Sequence, residues 1–368
     1  MKNDSLKTLL EEKSHKSLEE TMSEYTYYDE NGAKLSSLLY DLNYWEVELH
    51  DVITKNVFKG IDYYKLVGIV PMWVRDAGHS QESSMTREKF ESLLEYNSNA
   101  LTHRFLYYHD CEMLMSAFQN RTQAVEHMMN SIFKHISAES SSIKEYEEVI
   151  LSSCRTDIDL HVFLNSLIIT LASSFDLITK VAYELMHMHE VTFEGYPKMK
   201  SAKVTYGDRV RLSKDMKVEQ TLFAENEPRC IRQIMSLRDE IIHNGSLDFH
   251  YSSYHGIIDG KIDDFLFFPE MTESGVLLSH KARRKFYSDY NRTFNAILPK
   301  LVCDVLECLR HTLRMLIDKF NCPWHENPNE VLNYEDEISK WSGLILDGDP
   351  SRIQWFLEKL NQIKRSLK

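Results

Sequence analysis

Apolar residues recur at helical spacing along most of this chain, and the clearest run lies between residues 155 and 190. There Leu164, Leu167, Ile168, Leu171, Phe175, Ile178, Ala182 and Leu185 hold one face for roughly six turns. Thr156 or Asp157 suits the N-cap of that helix, since a short oxygen-bearing side chain can accept a free amide proton. Residues 4–24 read as a charged amphipathic helix carrying Leu6, Leu9, Leu10 and Leu18, which "NGAK" at 31–34 then interrupts. From 35 to 154 helical period dominates, punctuated near 68–80, with two helices or one long one between Thr86 and Ile136. Residues 191–206 lose the period and predict a loop or irregular hairpin.

A shorter helix is expected over about 228–244. After it the pattern alternates, and "HGIIDGKIDDFLFFP" places Asp259-Gly260 between two strand-like runs, a hairpin signal. Residues 282–320 are again helical in pattern, with Pro299 expected to kink or divide them for lack of an amide proton. "NCPWHENPNE" at 321–330 reads as a linker, followed by a loop and one or two closing helices. These elements predict an all-α protein with a small β-hairpin insertion. Its expected segments are a helical region over 1–154, a second helical domain over 155–320, and an extension over 321–368.

Composition narrows the function classes. With 368 residues the chain can bury a sizeable core, and its sparse Gly and Pro favour helices. The start lacks the pattern of a secretory signal, and the most apolar run is interrupted by Ser173, Ser174, Asp176 and Lys180, so a bilayer span is not expected. Six scattered cysteines fit reduced thiols in a cytoplasmic setting. A formal charge of −13 argues against a generic nucleic-acid coat protein, though not against a local basic groove. No phosphate-cradling glycine loop, nucleophile elbow or dinucleotide fingerprint is present, so no cofactor is expected. His187 and His189 would point apart on a helix, and Cys322 with His325 lacks a second pair, so no metal is expected either.

The chemistry-bearing stretch is "MSLRDEIIHNGS", residues 235–246. Ile231, Ile234, Met235, Ile241 and Ile242 form a candidate buried stripe with Arg238 near its middle, where a permanent charge needs partners. Gly245 suits the residue that ends the helix, placing His243 in the last turn. Arg238 and His243 are then roughly 140° apart around the axis. One reading gives them a structural job: Arg238 paired with Asp176 or Glu240, and His243 capping free carbonyls.

"RDEIIH" also resembles the arginine, polar residue, three residues, histidine signature of HEPN domains (higher eukaryotes and prokaryotes nucleotide-binding), and the order of long helices over 155–320 is similar to theirs. The resemblance implies a metal-independent endoribonuclease, of a kind often found as a toxin or phage-defence effector, with its site formed across a homodimer. It makes Arg238 and His243 the catalytic pair, with Asp239 as the polar residue after the arginine. RNA carries its own nucleophile, the 2′-hydroxyl. An imidazole can move protons near neutral pH, and a guanidinium can bind phosphoryl oxygens through two parallel bonds. Asp176 is the candidate orienting acid, and Asn244 and Ser246 are candidate phosphate contacts. Lys198, Lys200, Lys203, Arg209 and Arg211, continued by Lys214 and Lys217 and with Tyr196 and Tyr206 alongside, form a candidate RNA-tracking run, and Arg283 and Arg284 in "KARRK" a second basic cluster. The other function class is a non-catalytic protein of the same fold that binds a nucleotide, RNA or protein partner, a regulator included.

Overall fold

The computed structural model describes residues 30–60, 87–96, 100–138, 149–152, 155–212, 214–245, 247, 251–258, 261–281, 284–287 and 292–323. The expected helix over 4–24, the punctuation near 68–80, Ser246, Arg283 and the segment after 323 lie outside those residues.

The described chain is mostly helical. Helix α1 spans Glu30–Val57, α2 Arg87–Tyr96, α3 Ala100–Ala138 and α4 Arg155–His187. A four-residue turn, α5 (Arg209–Leu212), precedes α6 (Arg229–Asn244), and α7 spans Phe294–Phe320. Strands β1 (Val149–Ser152), β2 (Ser253–Ile258) and β3 (Lys261–Phe265) form an antiparallel sheet in the order β1-β2-β3. Strands β4 (Ser279–His280) and β5 (Arg284–Lys285) form a separate pair. The region from Thr86 to Ile136 holds two helices, and 191–206 is a loop with short 3-10 turns.

Two compact units share the chain discontinuously. The first draws on Met1–Trp45, Ala117–Thr179 and Val204–Met315, the second on Glu46–Ser116, Lys180–Lys203 and Leu316–Lys368. Helices α1, α3, α4 and α7 each contribute residues to both.

In the first unit, α4 runs through the core by the pattern its sequence predicts. Every α4 position of that predicted face is buried, those it gives to the second unit included. At its start Asp157 accepts a bond from the Ser253 hydroxyl, and His161 Nε2 lies 3.0 Å from the Ser252 carbonyl, tying the helix to β2. The β2–β3 register pairs Ile258 with Lys261 and so brackets Asp259-Gly260 as the hairpin sequence requires. Strand β1 adds a third strand that the sequence pattern does not reveal.

One of the expected breaks is absent, since "NGAK" at 31–34 lies inside α1; the start of α7 is corrected, and the role of Pro299 is narrowed. Helix α7 begins at Phe294 and not near 282, because residues 266–268 pair with 292–294 and hold that backbone extended. Thr293 then caps the helix through a bond from the Ala296 amide. Pro299 sits inside a helix that continues to Phe320, so it does not divide it.

The second unit buries several titratable side chains in its interior. Tyr107 donates to Glu184, whose other oxygen accepts the Ser201 amide at 2.6 Å. The Tyr108 hydroxyl lies 2.7 Å from His50 Nε2, and His109 Nδ1 lies 3.1 Å from Glu112. Glu112 Oε1 makes no hydrogen bond and stands 3.9 Å from His50. Burial holds His50 below the ordinary histidine range and outweighs the opposite pull of Glu112 and Asp51.

Candidate functional site

Helix α6 belongs to the first unit and has the predicted bounds within a residue. It ends at Gly245, where φ is 106° and a side chain would strain the backbone although the space around it is open.

The buried stripe of α6 differs from the expected one. Ile231, Gln233, Ile234, Leu237 and Glu240 are buried, whereas Met235 is half-buried and Ile242 is 47% exposed. The helix is thus turned about 100° from the orientation that the isoleucines suggest. Arg238 does not sit in the core. Its side chain is 32% exposed and donates at 2.7 Å to Asp239, so neither Asp176 nor Glu240 is its partner in that bond.

The charge that does lie in the apolar stripe is Glu240. Lys285 reaches it at 2.9 Å with both side chains nearly sealed, at 5% and 9% exposure, and Asn244 donates to its other oxygen at 2.8 Å. Asn244 is therefore engaged along the helix. Asp176, the candidate orienting acid, accepts the Tyr206 amide at 2.6 Å and fixes that loop.

The segment after β3 is packed along one flank of α6. Gly275, at φ 94°, comes so close that a Cβ there would lie 2.9 Å from the Arg229 carbonyl oxygen. The Leu277 amide bonds Ser236 Oγ at 2.9 Å, and the Tyr287 hydroxyl donates to the Leu247 carbonyl at 2.8 Å. With the ion pair of Lys285, these contacts bring the chain around β4 and β5 against the motif helix. Lys281 and Arg284 are exposed there.

The open side of α6 carries Arg238, Asp239, Ile242 and His243. On an ideal helix Arg238 and His243 flank that face, with Asp239 and Ile242 between them. His243, Asp239 and Ile242 are exposed, so both members of the predicted pair meet solvent. Cys230, on the same helix, has its thiol pushed up by burial to about 11 and stays protonated at neutral pH.

The candidate RNA-tracking run fares differently. Lys198, Lys200 and Lys203 belong to the second unit, Arg209 and Arg211 to the first. Lys200 bonds Glu190, Arg209 pairs with Glu227 at 2.8 Å, and Lys217 pairs with Glu225 at 3.1 Å, so acids outside the run offset much of its charge. Arg211 stands 3.9 Å from Asp208, while Lys198 and Lys203 are exposed. The two rings are not free for stacking: Tyr206 is buried with its hydroxyl on Glu227, and the half-buried Tyr196 donates to Asp110. Among the described residues no group of three His, Cys, Asp or Glu side chains could hold a metal ion.

The residues the sequence reading missed are Lys285, which neutralises the buried acid of α6, and the exposed aromatics Phe286 and Tyr287 that follow it. Their signal was present in "KARRKFY", where aromatic side chains adjoin a basic cluster. No protein-family model, curated protein or solved structure matches the chain.

Proposed function

We propose that this protein is a metal-independent endoribonuclease of HEPN-like architecture, with Arg238 and His243 as its catalytic pair. The observation that carries the reading is the arrangement of α6. Its embedded acid, Glu240, is buried and neutralised by Lys285, while the arginine and the histidine stand on the solvent side of the same two turns. An arginine has five N–H donors, so the bond to Asp239 leaves others for a phosphate.

The reaction is transfer of phosphorus from one sugar oxygen to another. The 2′-oxygen attacks phosphorus and gives up its proton, and the bond to the 5′-oxygen breaks as that oxygen gains one. The products are a 2′,3′-cyclic phosphate and a 5′-hydroxyl. His243 is assigned the proton movement and Arg238 the charge that builds on the phosphoryl oxygens. Because the two flank the exposed face, a second copy of the chain would shorten the span between an arginine and a histidine, and the reading includes a homodimer. As an effector acting on RNA, the protein would serve as a toxin or in phage defence, in the cytoplasm.

The test is total RNA incubated with the full-length protein in excess chelator. Cleavage that leaves cyclic-phosphate ends, and falls about 10²- to 10⁴-fold in His243→Ala, is the expected result. Cleavage unaltered in both His243→Ala and Arg238→Ala would refute the assignment.

A second reading, a non-catalytic module that binds RNA or a protein partner, is favoured by one observation. Asp239 sits between the pair and neutralises Arg238. Binding of RNA without any cleavage would select it.

A further inference from the structure

We propose that Lys285, Glu240, Asn244 and Tyr287 are positioning residues that clamp the last turn of α6 and so hold the His243 ring in place. The inference rests on the ribonuclease reading for what the ring does there, and its test separates the two.

The end of a helix is its loosest part, because the last four carbonyls have no partner within it. His243 is the residue before the last of α6, and it is exposed. A fraying turn is a poor support for a group that moves protons, since a misplacement of about 1 Å can cost on the order of a hundred-fold in rate. The chain from Met271 to Tyr287 supplies the restraint by meeting α6 turn after turn. Gln233 Nε2 donates to Met271 Sδ at 3.5 Å, and a Cβ on Gly275 would lie 2.9 Å from both the Arg229 carbonyl oxygen and Gln233 Cγ. The Leu277 amide donates to Ser236 Oγ at 2.9 Å, and Lys285 bonds Glu240 at 2.9 Å. Just past the helix end, the Tyr287 hydroxyl donates to the Leu247 carbonyl at 2.8 Å.

Arg229, Gln233, Ser236, Glu240 and Asn244 lie within about 80° of one another on an ideal helix, so they form one stripe. His243 falls about 20° from Ser236, at the edge of that stripe, whereas Arg238 is about 120° or more from every member. The packed segment therefore bears on the turn of the histidine and not on the arginine. Glu240 is the junction. One of its oxygens takes Lys285 and the other takes Asn244 Nδ2 at 2.8 Å, so the residue after His243 is tied to the residue three before it, and both to the segment alongside. A buried ion pair adds little net stability over a well-packed apolar contact, yet its bonds are directional and fix register. That is what an acid offers in a stripe that an apolar residue could fill.

The experiment uses full-length protein carrying Tyr287→Phe or Asn244→Ala, each of which removes one bond and leaves the Lys285–Glu240 pair intact. Amide hydrogen exchange of residues 238–247 is read beside kcat and KM for cleavage of total RNA in chelator. Loss of one hydrogen bond should speed exchange there about three- to ten-fold, with α4 and α7 as in wild type. The expected kcat falls about ten- to a hundred-fold while KM stays within about two-fold, because Arg238 keeps its place. On a His243→Ala background neither change should lower the residual rate further, since both act through the ring. Unaltered exchange in both variants overturns the inference, as does an unaltered kcat or a further loss on the His243→Ala background. Faster exchange in a protein whose wild type cleaves no RNA sinks the ribonuclease reading and leaves the clamp on the turn standing. RNA cleavage that is indifferent to both changes sinks the clamp and leaves that reading.

Discussion

The core of the second unit and the open face of α6 both gather titratable side chains, and they put them to opposite use. In the core, Tyr107, Glu184, His109 and Glu112 bond one another and the Ser201 backbone, away from solvent. On α6, Arg238, Asp239 and His243 face water, and only Glu240 is drawn inside. A dense cluster of acids, histidines and tyrosines is therefore not by itself a chemical site. Accessibility separates the two. Most of these buried polar groups are matched, Glu112 Oε1 excepted, because leaving them unmatched is costly, whereas exposed ones are satisfied by water and remain available to a ligand.

That contrast can be broken by substitution. The largest structural effect is expected from Lys285→Ala, which leaves Glu240 buried with Asn244 as its remaining described partner. Unfolding in urea should show a loss of about 3–5 kcal/mol, and Glu240→Gln on the same background should recover part of it. A loss below 1 kcal/mol would mean that water reaches Glu240 and that α6 is less firmly seated than described. Next, Glu184→Ala removes the acceptor of two buried donors and should cost about 3 kcal/mol by the same measurement, without altering RNA cleavage per folded molecule. His243→Ala must do the reverse, shifting the urea midpoint negligibly while it removes activity.

Smaller effects sharpen the comparison. Gly245→Ala should cost about 1–2 kcal/mol, because φ of 106° is unfavourable for any side chain even where space is open. The mildest is a pH effect from the second unit. His50 is held neutral by burial, so its folded value lies below the 6.5 of an exposed histidine. As pH falls below about 6.5 the unfolded chain takes up a proton that the folded chain refuses, and stability drops; above that pH the contribution is full. The partly buried His135 shifts in the same direction. His50→Gln should flatten the stability profile between about pH 7 and 5, and an unaltered profile would locate the titration elsewhere.

Much of the fold was legible because burial and period agree where a helix is long. Helix α4 keeps one apolar face for its whole length, and each residue of that face is buried. The α6 bounds follow from Gly245, and the hairpin from Asp259-Gly260 between alternating runs. Sixteen residues of α6 with isoleucine on two sides did not fix which side turns inward, because Ile231, Ile234 and Ile241 fit either stripe and Ile242 only the one that meets solvent. Strand β1 is four residues long and takes its partner from far along the chain, so no local period marks it. The start of α7 was misplaced since extended pairing of residues 292–294 outweighs the helical tendency of the residues before it.

The sequence alone determined the helical class, the long core helix and the placing of an arginine and a histidine in the last turns of one short helix. Those features follow from near-neighbour spacing and from the freedom of glycine. Tertiary structure decided which charge was buried, gave Glu240 its lysine and turned Arg238 to solvent. Each of these depends on which distant segment packs against the helix, and a one-dimensional pattern does not carry that choice.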